Sequence, residues 1–301
     1  MNRCASRRLR IAFGAASVVF AAAALCPLGA AAAEQPIEPG PAVESGPSTM
    51  RPLWELGIGV AAIHLPDYPG SDQSRSYLLP LPYIVYRGTF FKADRDGARA
   101  LLFDSERVKV DLSVAASTPT RSNRNPAREG MPNLSGTLEL GPNLNATVAS
   151  SPAQRWKLDL RLPVRGAATL ERSPKFVGVT FSPNLNLDVA GVGGSWNLGL
   201  LAGPVFADRT FYRYFYGVDP AYATAARPAY EAHGGYGGWR IVSATSRRIG
   251  NAWVGAFVRY DNLRGAAFEA SPLVRRNAAL SYGIGVSWIL KTSSEMVPSG
   301  E

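Results

Sequence analysis

Cysteine is almost absent from this chain. Its two residues, Cys4 and Cys26, both fall within the first 33 positions, so the remainder offers no disulfide and no thiolate metal site. Histidine is as scarce: His64 and His233 are the only two. Neither has a second ligand at metal spacing, and each reads as a solvated or hydrogen-bonded ring. Charge is thin, at 18% of residues, and beyond residue 33 it amounts to 28 basic minus 23 acidic side chains, a net +5. That surplus is too modest and too scattered for a nucleic-acid partner. No apolar run of 18 residues follows position 33, which excludes a helical membrane protein. The 23 prolines are dispersed and leave little room for long helices. With no Gly-X-Y period and no heptads, collagen and coiled coil are excluded too.

What is present starts with a basic head of Arg3, Arg7, Arg8 and Arg10, an apolar run from Ile11 to Leu28, and Ala31-Ala32-Ala33. This is the layout of a secretory signal, expected over 1–33 with cleavage after Ala33. Residues 34–52, rich in Pro, Gly and Ser, are expected to form a flexible periplasmic lead-in. A folded body over 53–290 and a tail over 291–301 complete the expected organisation.

The body carries a period of two. From Leu134 to Val148 the even positions are Leu, Gly, Leu, Leu, Pro, Leu, Ala and Val, and the odd ones are Ser, Thr, Glu, Gly, Asn, Asn and Thr. Successive strand side chains point to opposite faces, so this is a strand with one apolar and one polar side. The same alternation recurs over Val108–Val114, Trp156–Val164, Val177–Val189 and Leu280–Trp288, and a glycine-softened version runs over Trp54–Ala62. These strands exceed the usual five or six residues and suit a tilted bilayer crossing of about 9 to 11. In a membrane barrel, lipid covers the apolar faces and closure satisfies the backbone. The expected fold is an all-β, transmembrane, antiparallel up-and-down β-barrel of about twelve strands (roughly 10 to 14).

Connection lengths support this. The turns near Gly88, Asp104-Ser105, 150–154, 191–194 and 247–251 are short, whereas 65–77, 118–133, 166–174, 207–232 and 262–278 are long; only the connection near Asp96-Gly97 breaks the alternation. Bacterial barrels have short periplasmic turns and longer outer loops. Aromatics such as Tyr83, Tyr86, Phe90, Phe91, Trp156, Trp196, Phe206, Trp239, Trp253, Tyr260 and Trp288 fall near strand ends, where interfacial girdles belong.

If the apolar faces meet lipid, Lys109, Asp111, Glu139, Lys157, Asp159, Arg161, Asp188 and Arg259 project into the lumen. Their mixed signs predict a salt-bridged, narrow interior or a restricted polar pore. Gly57-Ile58-Gly59-Val60-Ala61-Ala62 is no dinucleotide site, because no βαβ unit follows. No catalytic, cofactor-binding or metal-binding set emerges.

One loop carries unusual detail: Asp67, Tyr68, Gly70, Ser71 and Arg75, then Pro80, Pro82 and Tyr86. With Gly130-Met131, Gly141-Pro142, Tyr214–Val218, Leu263-Arg264-Gly265 and the run through Ser271 and Pro272, this resembles the MipA/OmpV family of outer-membrane proteins over about residues 53–290. The last strand ends near Trp288-Ile289-Leu290 and eleven residues follow it, a departure from family members that end on an aromatic. The resemblance implies location in the outer membrane of a Gram-negative bacterium, contact with its lipid, and no cofactor. It implies a scaffold for murein synthesis that joins a lytic transglycosylase to a peptidoglycan synthase. Other members look like small-solute pores, adhesins or stress-response barrels. A third function, lipid hydrolysis through His64, is the enzymatic alternative.

Overall fold

A computed structural model describes residues 50–87, 91–94, 97–100, 103–104 and 108–298. The expected signal over 1–33, most of the lead-in and the turns near Gly88 and Ser105 lie outside the described residues. The elements run β1 (Met50–Pro52), β2 (Trp54–Pro66), β3 (Ser74–Arg87), β4 (Phe91–Asp94), β5 (Gly97–Ala100), β6 (Phe103–Asp104), β7 (Val108–Ala116), β8 (Thr137–Ser151), β9 (Trp156–Thr169), β10 (Phe176–Phe181), β11 (Asn184–Val192) and β12 (Trp196–Ala207). Helix α1 (Arg209–Tyr216), β13 (Gly235–Ile249), β14 (Ala252–Asn262), β15 (Ala278–Thr292) and β16 (Met296–Pro298) follow.

Strands β2 to β15 form one antiparallel sheet in sequence order, with β2 hydrogen-bonded to β15, so the last long strand returns to the first. The two ends of the described ladder, β5 and β6, are consecutive in the chain. The sheet has fourteen segments where about twelve strands were expected. The difference has a local cause. β10 and β11 both pair with β9 and β12, so they are two halves of the one strand expected over 175–190. The break falls at Ser182-Pro183, where proline has no N–H for the ladder. β6 is a two-residue piece beside β7. Outside this sheet, β1 pairs with β16, so three residues at the end of the expected lead-in are held by the tail.

Burial alternates as the sequence does, with its sign reversed from a soluble domain. Leu56, Ile58 and Val60 on β2, Leu138, Leu140 and Leu144 on β8, and Leu280, Tyr282 and Ile284 on β15 are exposed, while Glu55, Asp111, Asn143, Asp159, Arg161 and Ser281 are buried. Exposed apolar area on this scale calls for a nonaqueous covering. Trp239, Tyr260 and Trp288 lie on the exposed side near strand ends. Tyr83 and Trp253 depart from the girdle expectation: they turn inward and pack with Val85 and Ile289.

Candidate functional site

The larger apolar cluster among the described residues is in the loops. Connections 67–73, 117–136, 208–234 and 263–277 converge at one end of the barrel. Their buried residues Tyr68, Leu134, Tyr212, Phe215, Tyr216, Val218, Leu263, Phe268 and Leu273 form one cluster. Helix α1 begins at Asp208, whose carboxylate accepts from the Phe211 N–H at 2.8 Å, the side-chain N-cap that relieves an orphan donor. It turns Tyr212, Phe215 and Tyr216 inward. Two glycines make room for it. Gly178, at φ +125°, would place a Cβ 2.3 Å from Asp208 Oδ1 and 2.5 Å from the Phe211 nitrogen, and a Cβ on Gly237 would fall 1.9 Å from the Tyr212 hydroxyl.

The signature residues are the fasteners of this cap. Asp67 is buried; its carboxylate accepts from Arg75 Nε at 2.6 Å and Asn125 Nδ2 at 2.8 Å, and its carbonyl accepts from the Thr120 hydroxyl at 2.7 Å. The Tyr68 hydroxyl donates to the Leu273 carbonyl at 3.0 Å, and the Tyr216 hydroxyl to that of Pro69 at 2.9 Å. Ser271 Oγ donates to the Tyr216 carbonyl at 2.7 Å, and Tyr216 stacks on Phe268 at 3.7 Å. Gly70, at φ +94°, has a carbonyl that accepts from Arg275 N–H, and a Cβ there would meet Leu263 at 3.0 Å. Ser71 Oγ accepts from Asn125, and Pro272 is half-buried between Ser271 and Leu273. Burial pushes the Tyr68 phenol up to about 12, against an opposing pull from the nearby Arg128. Tyr216, fully enclosed, is raised well above its ordinary value by the same cause.

Pro80, Pro82 and Tyr86 are elsewhere, on the wall. Pro80 pairs with Val60, Pro82 with Ile58 and Tyr86 with Trp54. β3 pairs with β2 along its whole length and with β4 only at Tyr86 and Arg87. Two residues that cannot donate thus occur on a strand whose second described ladder is short.

Below the cap, the eight charged positions read from the alternation occupy the inner side of the sheet. Asp111 accepts from Asn143 at 3.1 Å and Asn145 at 3.0 Å. Asp159 takes Lys157 at 2.9 Å and the Thr147 hydroxyl at 2.9 Å. Arg161 is 4.0 Å from Asp188, which also accepts from Asn186 at 2.6 Å. Glu139 accepts from Thr180 at 2.9 Å. Arg259 donates to Asp261 at 2.6 Å, and Arg240 reaches the other oxygen of that carboxylate at 2.8 Å. Lys109 pairs across the ladder with Asn145 and is half-buried. Alternation could give the inward phase but not these partners, one of which, Thr180 on β10, lies two strands from Glu139 on β8.

Two features were missed by the sequence reading. A cavity of about 220 Å³ lies under α1, walled by Glu139, Asn143, Arg161, Arg165, Asn184, Arg240, Arg259 and Asp261 and roofed by Tyr212, Phe215, Tyr216 and Phe268. At the short-turn end, fully buried Glu55 accepts from Arg87 at 2.8 Å and from Arg248 at 2.9 Å. Arg248 is on β13, three strands round from β2, so this bond is a chord across the interior. A signal for Glu55 existed: it is the one acid in the inward phase of an otherwise apolar strand.

His64 donates to or accepts from Ser76 Oγ at 2.9 Å and stacks on Tyr282 at 5.0 Å. Among the described residues, no group of three or more His, Cys, Asp or Glu is gathered as a metal site.

Long amphipathic strands whose last member pairs with the first, apolar outside and ionic within, mark an outer-membrane β-barrel of a Gram-negative bacterium. Residues 58–290 match the family described as MltA-interacting protein MipA, and the chain belongs to that family. No curated protein matches it. Among solved structures, it is similar to a bacterial polysaccharide outer membrane secretin at 9% identity and TM-score 0.41, over 79% of this chain and 99% of that one. An active-site mutant of outer membrane phospholipase A from Escherichia coli aligns at 12% identity and TM-score 0.32, over 81% and 93%. A porin aligns at 9% and 0.32, over 79% and 100%.

Proposed function

We propose that the chain is a non-enzymatic scaffold for complexes that synthesise and remodel peptidoglycan. The observation that carries this reading is obstruction of the interior at both ends. The aromatic cap covers the long-loop end, and the Glu55–Arg87–Arg248 chord crosses the other. A barrel closed in this way exposes its rims, not a passage, to other molecules. The periplasmic rim comprises short turns and the β1–β16 ribbon, and the family description speaks of interaction with MltA. Within this reading the partners are a lytic transglycosylase and a peptidoglycan synthase, and lipid covers the wall.

The test is a crosslinking pull-down from intact envelopes. The wild-type chain is expected to capture both murein enzymes, and replacement of the turns at 152–155 and 250–251 by Gly-Ser sequence to lose them. Absence of both enzymes from the wild-type capture would overturn the scaffold. The second reading, a small-solute pore, is favoured by the cavity under the cap with its ionic walls; it requires ion conductance in a planar bilayer.

A further inference from the structure

We infer that the outward row Ser76–His64–Tyr282, on the lipid face at the capped end of the barrel, is a binding site for the phosphate group of an outer-leaflet glycolipid. This goes beyond the scaffold reading and needs none of its partners.

The row stands at a chemical border. Toward the cap, the outward positions of β2 are Leu56, Ile58, Val60 and Ala62, all exposed, and then His64. On β3 they are Ile84, Pro82, Pro80 and Leu78, and then Ser76 and Ser74. On β15, Val286 and Ile284 lead to Tyr282. The three strands are neighbours, and the register sets Ser76 and Tyr282 directly opposite His64 on either side. The outward faces of three strands thus turn polar at one level. Trp54 opens the outward phase of β2, and the stretch 54–64 matches the about 9 to 11 residues of a tilted crossing. The row is therefore where hydrocarbon meets headgroups. The adjoining connection 67–73 belongs to the cap, and long connections mark the outer side of bacterial barrels.

An imidazole at this border needs a reason. Tryptophan and tyrosine are the usual girdle residues, whereas an ionisable group facing lipid is costly and marks a site. The protein satisfies one edge of the ring. His64 Nδ1 is 2.9 Å from Ser76 Oγ, and the ring stacks on Tyr282 with centroids 5.0 Å and planes 22° apart. Among the described residues, His64 Nε2 and the Tyr282 hydroxyl have no protein partner, and Tyr282 is 46% exposed. With Ser76 donating to Nδ1, the ring proton is on Nε2. The stacked rings then offer two donors, Nε2–H and the phenol O–H, at the lipid boundary. Phosphate oxygens accept from both, and a protonated ring adds charge to the same bond. A phosphorylated glycolipid of the outer leaflet brings such oxygens to this level.

The experiment is native mass spectrometry of the intact mature protein, released from detergent after incubation with bisphosphoryl lipid A, with lipid A stripped of phosphate, or with phosphatidylglycerol. Bisphosphoryl lipid A is expected to be retained about tenfold more than either control, the scale of one charge-assisted hydrogen bond. His64→Leu, which suits a lipid-facing position, should lower retention to that of the phosphate-free lipid, with heat-modifiable mobility on gels unchanged. Tyr282→Phe should lower it about fivefold, the scale of one neutral hydrogen bond. Equal retention of the phosphate-free lipid, preference for phosphatidylglycerol, or wild-type retention by folded His64→Leu would each overturn the site. Release of free fatty acid would overturn it too, by making the Ser76–His64 pair hydrolytic. Should His64→Leu fail to fold, Tyr282→Phe decides alone, unchanged retention overturning the site. Capture of murein enzymes is read separately, so failure of one result leaves the other standing.

Discussion

Asp67 shows how one carboxylate can hold an assembly of loops. It is buried, and it takes charged or amide donors from two different segments, Arg75 on β3 and Asn125 in the connection between β7 and β8. Asp67→Ala removes the acceptor and leaves the buried Asn125 amide with one fewer partner, while the partly exposed Arg75 can turn to water. Losing such a group costs about 1–3 kcal/mol for the buried partner, and the cost falls on the cap, not on the strands. The expected outcome is trypsin cleavage at Arg121 or Arg124 within minutes, where the wild type resists, with heat-modifiable mobility of the barrel unchanged. Equal protease resistance of variant and wild type would show that Asp67 fastens nothing. The sequence marked this residue through its motif, but not its task. A lone Asp-Tyr-Pro-Gly run reads as a turn, and only the fold brings residues 125 and 273 to it.

At the scale of elements, strands were legible and the cap was not. The strand pattern depends on side-chain alternation alone, so Val108–Val114 or Trp156–Val164 declares its two faces without knowledge of its neighbours. The break between β10 and β11 was less visible, because Pro183 keeps the parity of the alternation while removing a ladder donor. Helix α1 belongs to the opposite case. Its eight residues are too few to be stable alone, and their burial depends on Phe268 and Tyr68, far away in sequence. This packing makes the cap sensitive to alkali. Tyr68 ionises at about 12 in the folded protein against an ordinary 10.0, and Tyr212 and Tyr216 are raised by burial too. In each, burial opposes the tyrosinate, so the unfolded loops release protons before the folded ones do. The stabilisation is therefore full below pH about 10 and is lost as pH rises toward 12. Tyrosinate absorbance near 295 nm should rise with loss of cap protease resistance above that pH, and neither should change between pH 6 and 9. Cap release at neutral or mildly acidic pH would contradict this account.

For the whole molecule, the two obstructions act in series, and this gives the pore reading a sharp test. The chord at the short-turn end joins β2 to β13 through Glu55, Arg87 and Arg248, with Tyr83 and Trp253 packed beside it. Loop convergence covers the other end. Because resistances in series are governed by the larger, opening one end should leave the barrel silent. Glu55→Ala alone is expected to cost about 1–3 kcal/mol, limited because both arginines retain some solvent, and to give no conductance step. Replacing 209–232 by a short Gly-Ser linker should also give none, with the chord intact. Joined in one chain, the two changes should produce discrete steps in a planar bilayer. The current should favour anions, since Arg87 and Arg248 would then line the short-turn end without their carboxylate. A wild-type chain that conducts as well as the doubly opened one would remove the closed-barrel premise on which the scaffold reading depends. Steps from Glu55→Ala alone would show that the cap leaks, and that the chord is the only gate.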